Sequence, residues 1–251
     1  VILYEYPCNE RVRIFLRVEH LFKRLSYFIE GDDPHLHQVA VTTLFDLLEL
    51  TDRVDLRGMV LQDIERQRNA MQALREHPGV SEQAVDRMFA KLQEVADPLA
   101  AQGRIAQDLR ENEWLQSLRG RLTVPGCLAQ IDAPSFYCWQ KKPADQRQAD
   151  IRLWADSLMP LAKAIALLLQ LLRDAADVVE RTAVEGGYQE MLGGKSFQLL
   201  RVWVPAHYQA FPEMSANKYV IWVRFAQQKQ QGKPTFLKQD IPFKLACCTI
   251  G

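Results

Sequence analysis

Residues 158–179 read LMPLAKAIALLLQLLRDAADVV, a run too apolar to leave most of its circumference in water. Leu158, Leu161, Ile165, Leu168, Leu172 and Ala175 recur at steps of three or four, and Ala162, Leu169 and Ala176 widen the stripe. Lys163, Gln170, Asp174, Asp177 and Arg181 fall near one angular position at about 100° per residue, so only a narrow strip stays polar. The spacing predicts a central buried helix. A bilayer span is not expected, because Lys163, Gln170, Arg173 and Asp174 interrupt a stretch that would need roughly 20 apolar residues. Pro160 places the helix start, or a restart, at Ser157 to Pro160, where a missing N–H costs nothing.

Several helical patterns precede this run. Asn9 offers an N-cap to a helix reaching Ile29, with Ile14, Val18, Leu21, Phe22, Leu25 and Ile29 on one face and Arg13, Arg17, His20 and Arg24 stacked on the other. That basic row reads either as a solvated face or as a binding stripe. Gly31 to Pro34 breaks the pattern, and residues 39–50 resume it around Val41, Leu44, Phe45 and Leu48. Asp55 caps a third helix, which His77-Pro78-Gly79 ends; Ser81 starts a fourth, which Asp97-Pro98 is expected to end. One helix is predicted over 109–122, a short one from Asp132-Ala133-Pro134 bearing Tyr137 and Trp139, and another over 144–156.

Beyond Val184 the period changes to two. Gly186-Gly187 and Gly193-Gly194 punctuate, and residues 197–204, 219–225 and 241–248 read as strands, with 188–191 as a fourth. Helices followed by strands predict an α+β fold: a helical domain over 7–184 around the long buried helix, and a smaller antiparallel β-domain over 185–251 that can recruit residues 1–6 as a further strand.

The 251 residues, 48% hydrophobic and 25% charged, suffice for a full core. Thirty-one basic residues balance 31 acidic ones, which speaks against a general polyanion binder. From Gly186 onward eight Lys and Arg face three acidic residues, a net +5 that leaves −5 for the first 185, so the C-terminal part is a candidate surface for an acidic partner. A nucleic-acid-binding module using the aromatics Trp203, Tyr219, Trp222 and Phe225 of that basic sheet is the rival reading.

No motif points to catalysis, to a metal or to a cofactor. Gly193-Gly194-Lys195-Ser196 ends like a phosphate-binding loop, but Gln189 stands where the earlier glycine is required and a strand follows where a helix is needed. The five histidines make no HExxH pattern; His35 and His37 are read as solvent residues, and Asp32-Asp33 as turn chemistry. The N-terminus carries no signal-peptide pattern, so the five cysteines are expected as free thiols in a reducing compartment, with Cys8, Cys127 and Cys138 as small core residues and Cys247-Cys248 unbridged.

The opening Tyr4-Glu5-Tyr6-Pro7-Cys8-Asn9-Glu10-Arg11-Val12-Arg13, followed by Leu16-Arg17-Val18-Glu19, resembles the ZapD family, bacterial division proteins that associate with the tubulin-like FtsZ. Further phrases resemble it in order: Glu65-Arg66-Gln67, Leu109-Arg110-Glu111, Arg119 with Arg121, Val124-Pro125-Gly126, Asp132 with Pro134, Gly187-Tyr188-Gln189, Leu199-Leu200-Arg201, Lys218, Arg224-Phe225 and Leu245-Ala246-Cys247-Cys248. Departures are Cys8 for Leu, Cys127 for a second Gly, Tyr137 for His, Ala216 for Gly and Val220 where Arg occurs. The resemblance implies a cytoplasmic, non-catalytic homodimer at the mid-cell division site that binds the C-terminal tail of FtsZ and bundles its filaments, with no nucleic acid or membrane partner. A short acidic and apolar tail needs guanidinium forks and a shallow apolar floor. The expected tail-binding residues are Arg13, Arg17, Arg53, Arg110, Arg119, Arg121, Lys218 and Arg224, with Trp222 and Tyr137 as floor.

Overall fold

The structure, a computed structural model, describes residues 1–75 and 81–250. The expected helix break at His77-Pro78-Gly79 lies outside the described residues. The fold is α+β, as its segregated periodicities predict. It divides into two compact units, residues 17–167 and residues 1–16 with 168–251.

The first of these is helical. Helix α1 (Glu10–Ile29) starts where Asn9 Oδ1 accepts from the Val12 N–H at 2.8 Å, the expected cap. Helix α2 (Pro34–Arg53) begins five residues earlier than its apolar pattern, because Asp33 accepts from the His35 N–H and Pro34 pre-sets the first turn. Helix α3 (Leu56–Arg75) is capped by Asp55, and helix α4 (Glu82–Ala101) by Ser81. Contrary to expectation, α4 does not stop at Asp97-Pro98: Pro98 lies within its final turn, where its one missing N–H leaves the earlier turns intact. The single helix expected over 109–122 is two, α5 (Gln107–Glu111) and α6 (Glu113–Arg121). Asn112 divides them. Its own N–H donates to the Asp108 carbonyl and ends α5, while its side chain accepts from the Leu115 N–H at 3.0 Å and starts α6. Helices α7 (Pro134–Gln140), α8 (Ala144–Ala155) and, after a 3₁₀ turn, α9 (Met159–Asp174) complete the series.

By length and composition the helical run Ala144–Asp174 would suffice to cross a bilayer. In the fold its apolar residues Leu158, Leu161, Ala164, Ile165, Leu169 and Leu172 are buried against protein, the other use of such a stretch. An aromatic cluster of Trp114, Phe136, Trp139 and Trp154, with ring centroids 5.3–6.3 Å apart, holds α6, α7 and α8 together.

His37 overturns its reading as a solvent residue: it is completely buried, and so is nearly all of Arg147. The Arg147 Nε–H donates to His37 Nδ1 at 2.8 Å, and the other nitrogens donate to the carbonyls of Asp32, Gln140 and Lys142. With Nδ1 accepting, the ring proton sits on Nε2, which faces the Ile29 carbonyl at 3.3 Å. The guanidinium is thus solvated by oxygen and nitrogen lone pairs in place of a carboxylate.

The second unit holds two antiparallel sheets. The first is ordered β1 (Ile2–Pro7), β4 (Leu199–Val204), β8 (Ile241–Cys248), β2 (Val179–Ala183). The second is ordered β3 (Gly187–Met191), β6 (Val220–Gln227), β5 (Phe211–Ala216), with β7 (Thr235–Phe236) also pairing β6. The central helix therefore ends at Asp174 rather than Val179, and residues 179–183 are a sheet edge. Inward-facing Leu200, Val202, Phe243 and Leu245 of one sheet meet Ile221, Val223 and Phe225 of the other in one core. On the opposite side of the first sheet Glu5, paired in register with Arg201, accepts a bidentate bond from Arg173 of α9 at 2.7 and 2.8 Å and one from Arg201 at 3.1 Å.

Arg147→Met removes every donor from four buried or half-buried acceptors. It is expected to cost about 2–4 kcal/mol in urea denaturation, whereas Arg152→Met, whose partner Glu30 is solvent-exposed, should change stability by under ~1 kcal/mol.

Candidate functional site

Strand β6 alternates from Val220 to Phe225, after which Ala226 is buried as well. Ile221, Val223 and Phe225 enter the core, so Trp222 and Arg224 must face out. Trp222 is flanked in register by Gln189 of β3 and Ser215 of β5, and Arg224 by Gly187 and Glu213. The indole is 45% exposed, with exposed Met191 diagonal to it, opposite Val220, and exposed Phe236 further along, opposite Ala226. The Arg224 guanidinium lies 3.7 Å from the centroid of the Phe236 ring, and the Lys218 ammonium 4.8 Å from that of Tyr219. Val220, where an arginine was expected, lies two residues from Trp222 on the same face and makes it more apolar. Of the expected residues, Trp222 and Arg224 thus share one face of β6, Arg224 on the Phe236 ring, while Lys218 lies in the turn before the strand, on the ring of Tyr219.

In the helical unit Arg110 and Arg119 converge on Asp52 at the end of α2. Arg110 is the more firmly built in: it also donates to Thr51 Oγ1 at 2.8 Å and to the Ile105 carbonyl at 3.2 Å, and little of its side chain is exposed. Arg104, which sequence reasoning missed, joins at 3.3 Å. Three guanidiniums against one carboxylate leave a local surplus of positive charge. Burial pushes the Asp52 pKa up, but the bonds and charges of Arg110 and Arg119 outweigh it, so the carboxyl titrates below its ordinary value. Neither Arg104 nor Asp52 carries a sequence signal, since one lies in an aperiodic connection and the other reads as a helix end.

The remaining expected residues do not join these groups. Arg53 pairs with Glu49 one turn back, and Arg121 donates to the Asp132 carbonyl at 2.7 Å. The row on α1 is partly neutralised, with Arg13 on Glu10 at 3.1 Å and Arg24 on Asp46, while Arg17 lies exposed between them. Tyr137 is half-buried under Lys141, 4.6 Å from its ring centroid, and lines a 520 Å³ cleft with Leu122, Val124, Pro125 and Leu128.

The chain's other nucleophiles are quiet. Burial foremost pushes the thiols of Cys8 and Cys248 up to about 11 and that of Cys247 to about 12, so all three stay protonated at neutral pH. All five cysteines are free; Cys127 is buried as expected, but Cys138 is exposed on α7 instead of in the core. Gly193 to Ser196 lies in the connection from β3 to β4, with no helix N-terminus to receive a phosphate.

Residues 16–224 match the family of cell division proteins called ZapD. Over 99% of this chain, the ZapD proteins of Bordetella petrii and Bordetella pertussis are 52% and 50% identical, across 100% and 98% of their own lengths. The ZapD protein of a Janthinobacterium species is 42% identical over the whole of both chains. The chain belongs to the ZapD family. Its biological role therefore lies in cell division, and the surfaces above are those of a ZapD protein.

The Asp52 group predicts a pH signature. A carboxyl whose folded pKa is depressed contributes stability above its unfolded value, near 3.8, and loses it as pH falls through the folded pKa. Asp52→Asn is expected to cost roughly 1 kcal/mol at pH 7, with the gap to the native sequence closing below the carboxylate range in urea titrations at stepped pH.

Proposed function

We propose that this ZapD-family chain binds the acidic, apolar C-terminal tail of FtsZ and, as a homodimer, joins FtsZ filaments at the cytoplasmic face of the division site. The observation that carries the reading is the outer face of β6, where Trp222, Phe236 and Met191 supply a shallow floor and Arg224 a guanidinium already stacked in place. Such a surface suits a short extended segment with alternating carboxylates and aliphatic side chains. The Arg104, Arg110 and Arg119 group and the exposed Arg17 supply further cations for the same chemistry. We read the role as a non-catalytic one, a reading that membership of a family of cell division proteins supports.

Bundling needs two tail sites in one particle, because a monovalent binder decorates a filament without joining it to another. Tails repeated along a polymer raise the effective concentration at the second site, so avidity can exceed single-site affinity by roughly 10² or more. Weak single contacts therefore suffice.

Co-sedimentation with FtsZ polymers with and without their last residues is the test. Full-length FtsZ should pellet the protein and form bundles, and the tail-deleted form should do neither; equal binding to both would overturn the reading. Arg17→Glu reverses one exposed charge in the basic row of α1 while leaving that helix's apolar face intact, so bundling should weaken with dimer and melting temperature unchanged, and residual native activity should fall as salt rises. Trp222→Ala with Arg224→Ala should weaken an isolated tail peptide about tenfold or more, equivalent to about 1.4 kcal/mol.

A further inference from the structure

A cleft of 450 Å³ in the helical unit is lined by Glu94, Val95, Pro98 and Gln102 of α4 and its end, Asp108 of α5, Asp156 and Ser157 of the 3₁₀ turn, and Met159, Pro160 and Lys163 of α9. It is separate from the surfaces described above and within the range, roughly 300–1,000 Å³, of small-molecule sites. Two oxygens in its wall, Gln102 Oε1 and Ser157 Oγ, are buried and have no hydrogen-bond partner among the described residues. The Gln102 amide is not free to turn: its Nε2–H₂ donates to the Ser157 carbonyl at 3.0 Å, which fixes Oε1 as the open acceptor. A third acceptor follows from the sequence. Pro98 has no N–H, so the Glu94 carbonyl one turn earlier in α4 lacks its helical donor, and both residues line the cleft.

The charge has the same sense. Glu94, Asp108 and Asp156 stand around the cleft against Lys163 alone, and none of the four has an ion-pair partner among the described residues. Val95, Pro98, Met159 and Pro160 form an apolar wall between them. An acceptor-rich, anionic cleft with an aliphatic wall fits a ligand that only donates hydrogen bonds, carries positive charge, and has methylenes between its charges. We propose that this cleft binds a linear aliphatic diamine or polyamine. Both side chains are half-buried, and a rotation of the Ser157 hydroxymethyl opens the shielded oxygens: one ammonium then bonds Gln102 Oε1 and Ser157 Oγ, the chain lies on the proline and methionine wall, and the second ammonium meets the carboxylates. Burying unpaired acceptors is costly, so a donor that reaches them gains more than its charge alone supplies.

The test is calorimetric titration of the full-length protein with butane-1,4-diamine and with spermidine, at ionic strength held constant by NaCl, with butylamine and MgCl₂ as controls. The expected result is saturable binding of the diamine and polyamine, at least tenfold tighter than butylamine, with no matching signal from Mg²⁺. Asp108→Asn with Asp156→Asn should weaken diamine binding tenfold or more, and Lys163→Met should strengthen it. Gln102→Leu should abolish the preference over butylamine. If Gln102→Leu fails to fold, the Asp108 and Asp156 pair, which makes no side-chain bond within the described residues, decides the matter. Equal responses to butylamine, Mg²⁺ and diamine, or diamine binding unchanged in the asparagine variants, would overturn the proposal and leave a water-filled cleft. FtsZ is absent from the assay, so the outcome is independent of tail binding.

Discussion

The constraint on which the structure rests is that one face of α9 cannot meet water. Leu161, Ala164, Ile165, Leu168, Leu169 and Leu172, with Leu158 in the turn before it, are all buried and fall within about 140° of its circumference, while Lys163, Ala166 and Gln170 are exposed on the other side. Leaving even half of them exposed would forfeit several kcal/mol, at about 25 cal/mol per Å² of apolar surface. Other helices carry narrower stripes, Leu56, Val60 and Ile64 on α3 and Leu115 and Leu118 on α6, and present charge on the rest of their surface. At its far end the helix turns from apolar contact to a directed one, since Arg173 grips Glu5 with both nitrogens and Arg201 completes the carboxylate's shell. That clamp fixes β1 against β4 by charge as well as by the ladder between them.

Where the sequence pattern and the burial coincide, the fold is legible. The apolar faces of α1 and α2, that of α9 as far as Leu172, and the buried positions of β4, β6 and β8 are read correctly because each buries a periodic set of side chains, whereas Ala175, expected in the α9 stripe, is exposed past the helix end. The missed strands lack that set. Strand β2 sends only Ala183 fully into the core, so Val179 to Thr182 read as the tail of a helix. Strand β5 carries Pro212, tolerable because β5 is the edge of its sheet, where an absent N–H breaks no ladder bond. The break at Asn112 lies in a phase jump: on a single helix Leu109 would stand about 120° from Leu115 and about 180° from Leu118, yet all three are buried, because the cap at Asn112 restarts the helix in a new direction. His37 was misplaced for a related reason: next to exposed residues in a Gly-Pro turn, nothing local indicates that a guanidinium 110 residues away seals it.

The candidate surface was legible in chemistry and only partly in place. Trp222 and Arg224 share a face because strand period two requires it, and that much is written in four letters of sequence. Which arginines gather around a common carboxylate depends on contacts 52 to 67 residues apart, and Asp52 organises three of them with no motif of its own. Helical spacing gave the α1 row its alignment, but the acids that neutralise Arg13 and Arg24 come from a preceding turn and from α2. A row of like charge on a helix is therefore a statement about backbone geometry, and its net field depends on neighbours that the row does not reveal.

Those internal partners bear on how a weak ligand can be held. A surface arginine with no neighbour gives up much of its side-chain freedom, up to ~2 kcal/mol, when it grips a carboxylate. Arg224 stacked on Phe236, and Arg110 and Arg119 held by Asp52, have already lost much of it on folding. Arg224 and Arg119 are the more exposed and keep N–H bonds that one ring face or one carboxylate does not satisfy, whereas Arg110, bonded through all three nitrogens, holds Asp52 in place. The cost of ordering is met during folding instead of at binding, so an incoming carboxylate meets a fork in position. The same partners limit affinity, since every bond to Asp52 is one a ligand must share. That balance suits the proposed role of joining filaments: preformed sites of modest individual strength, with specificity from geometry and persistence from number.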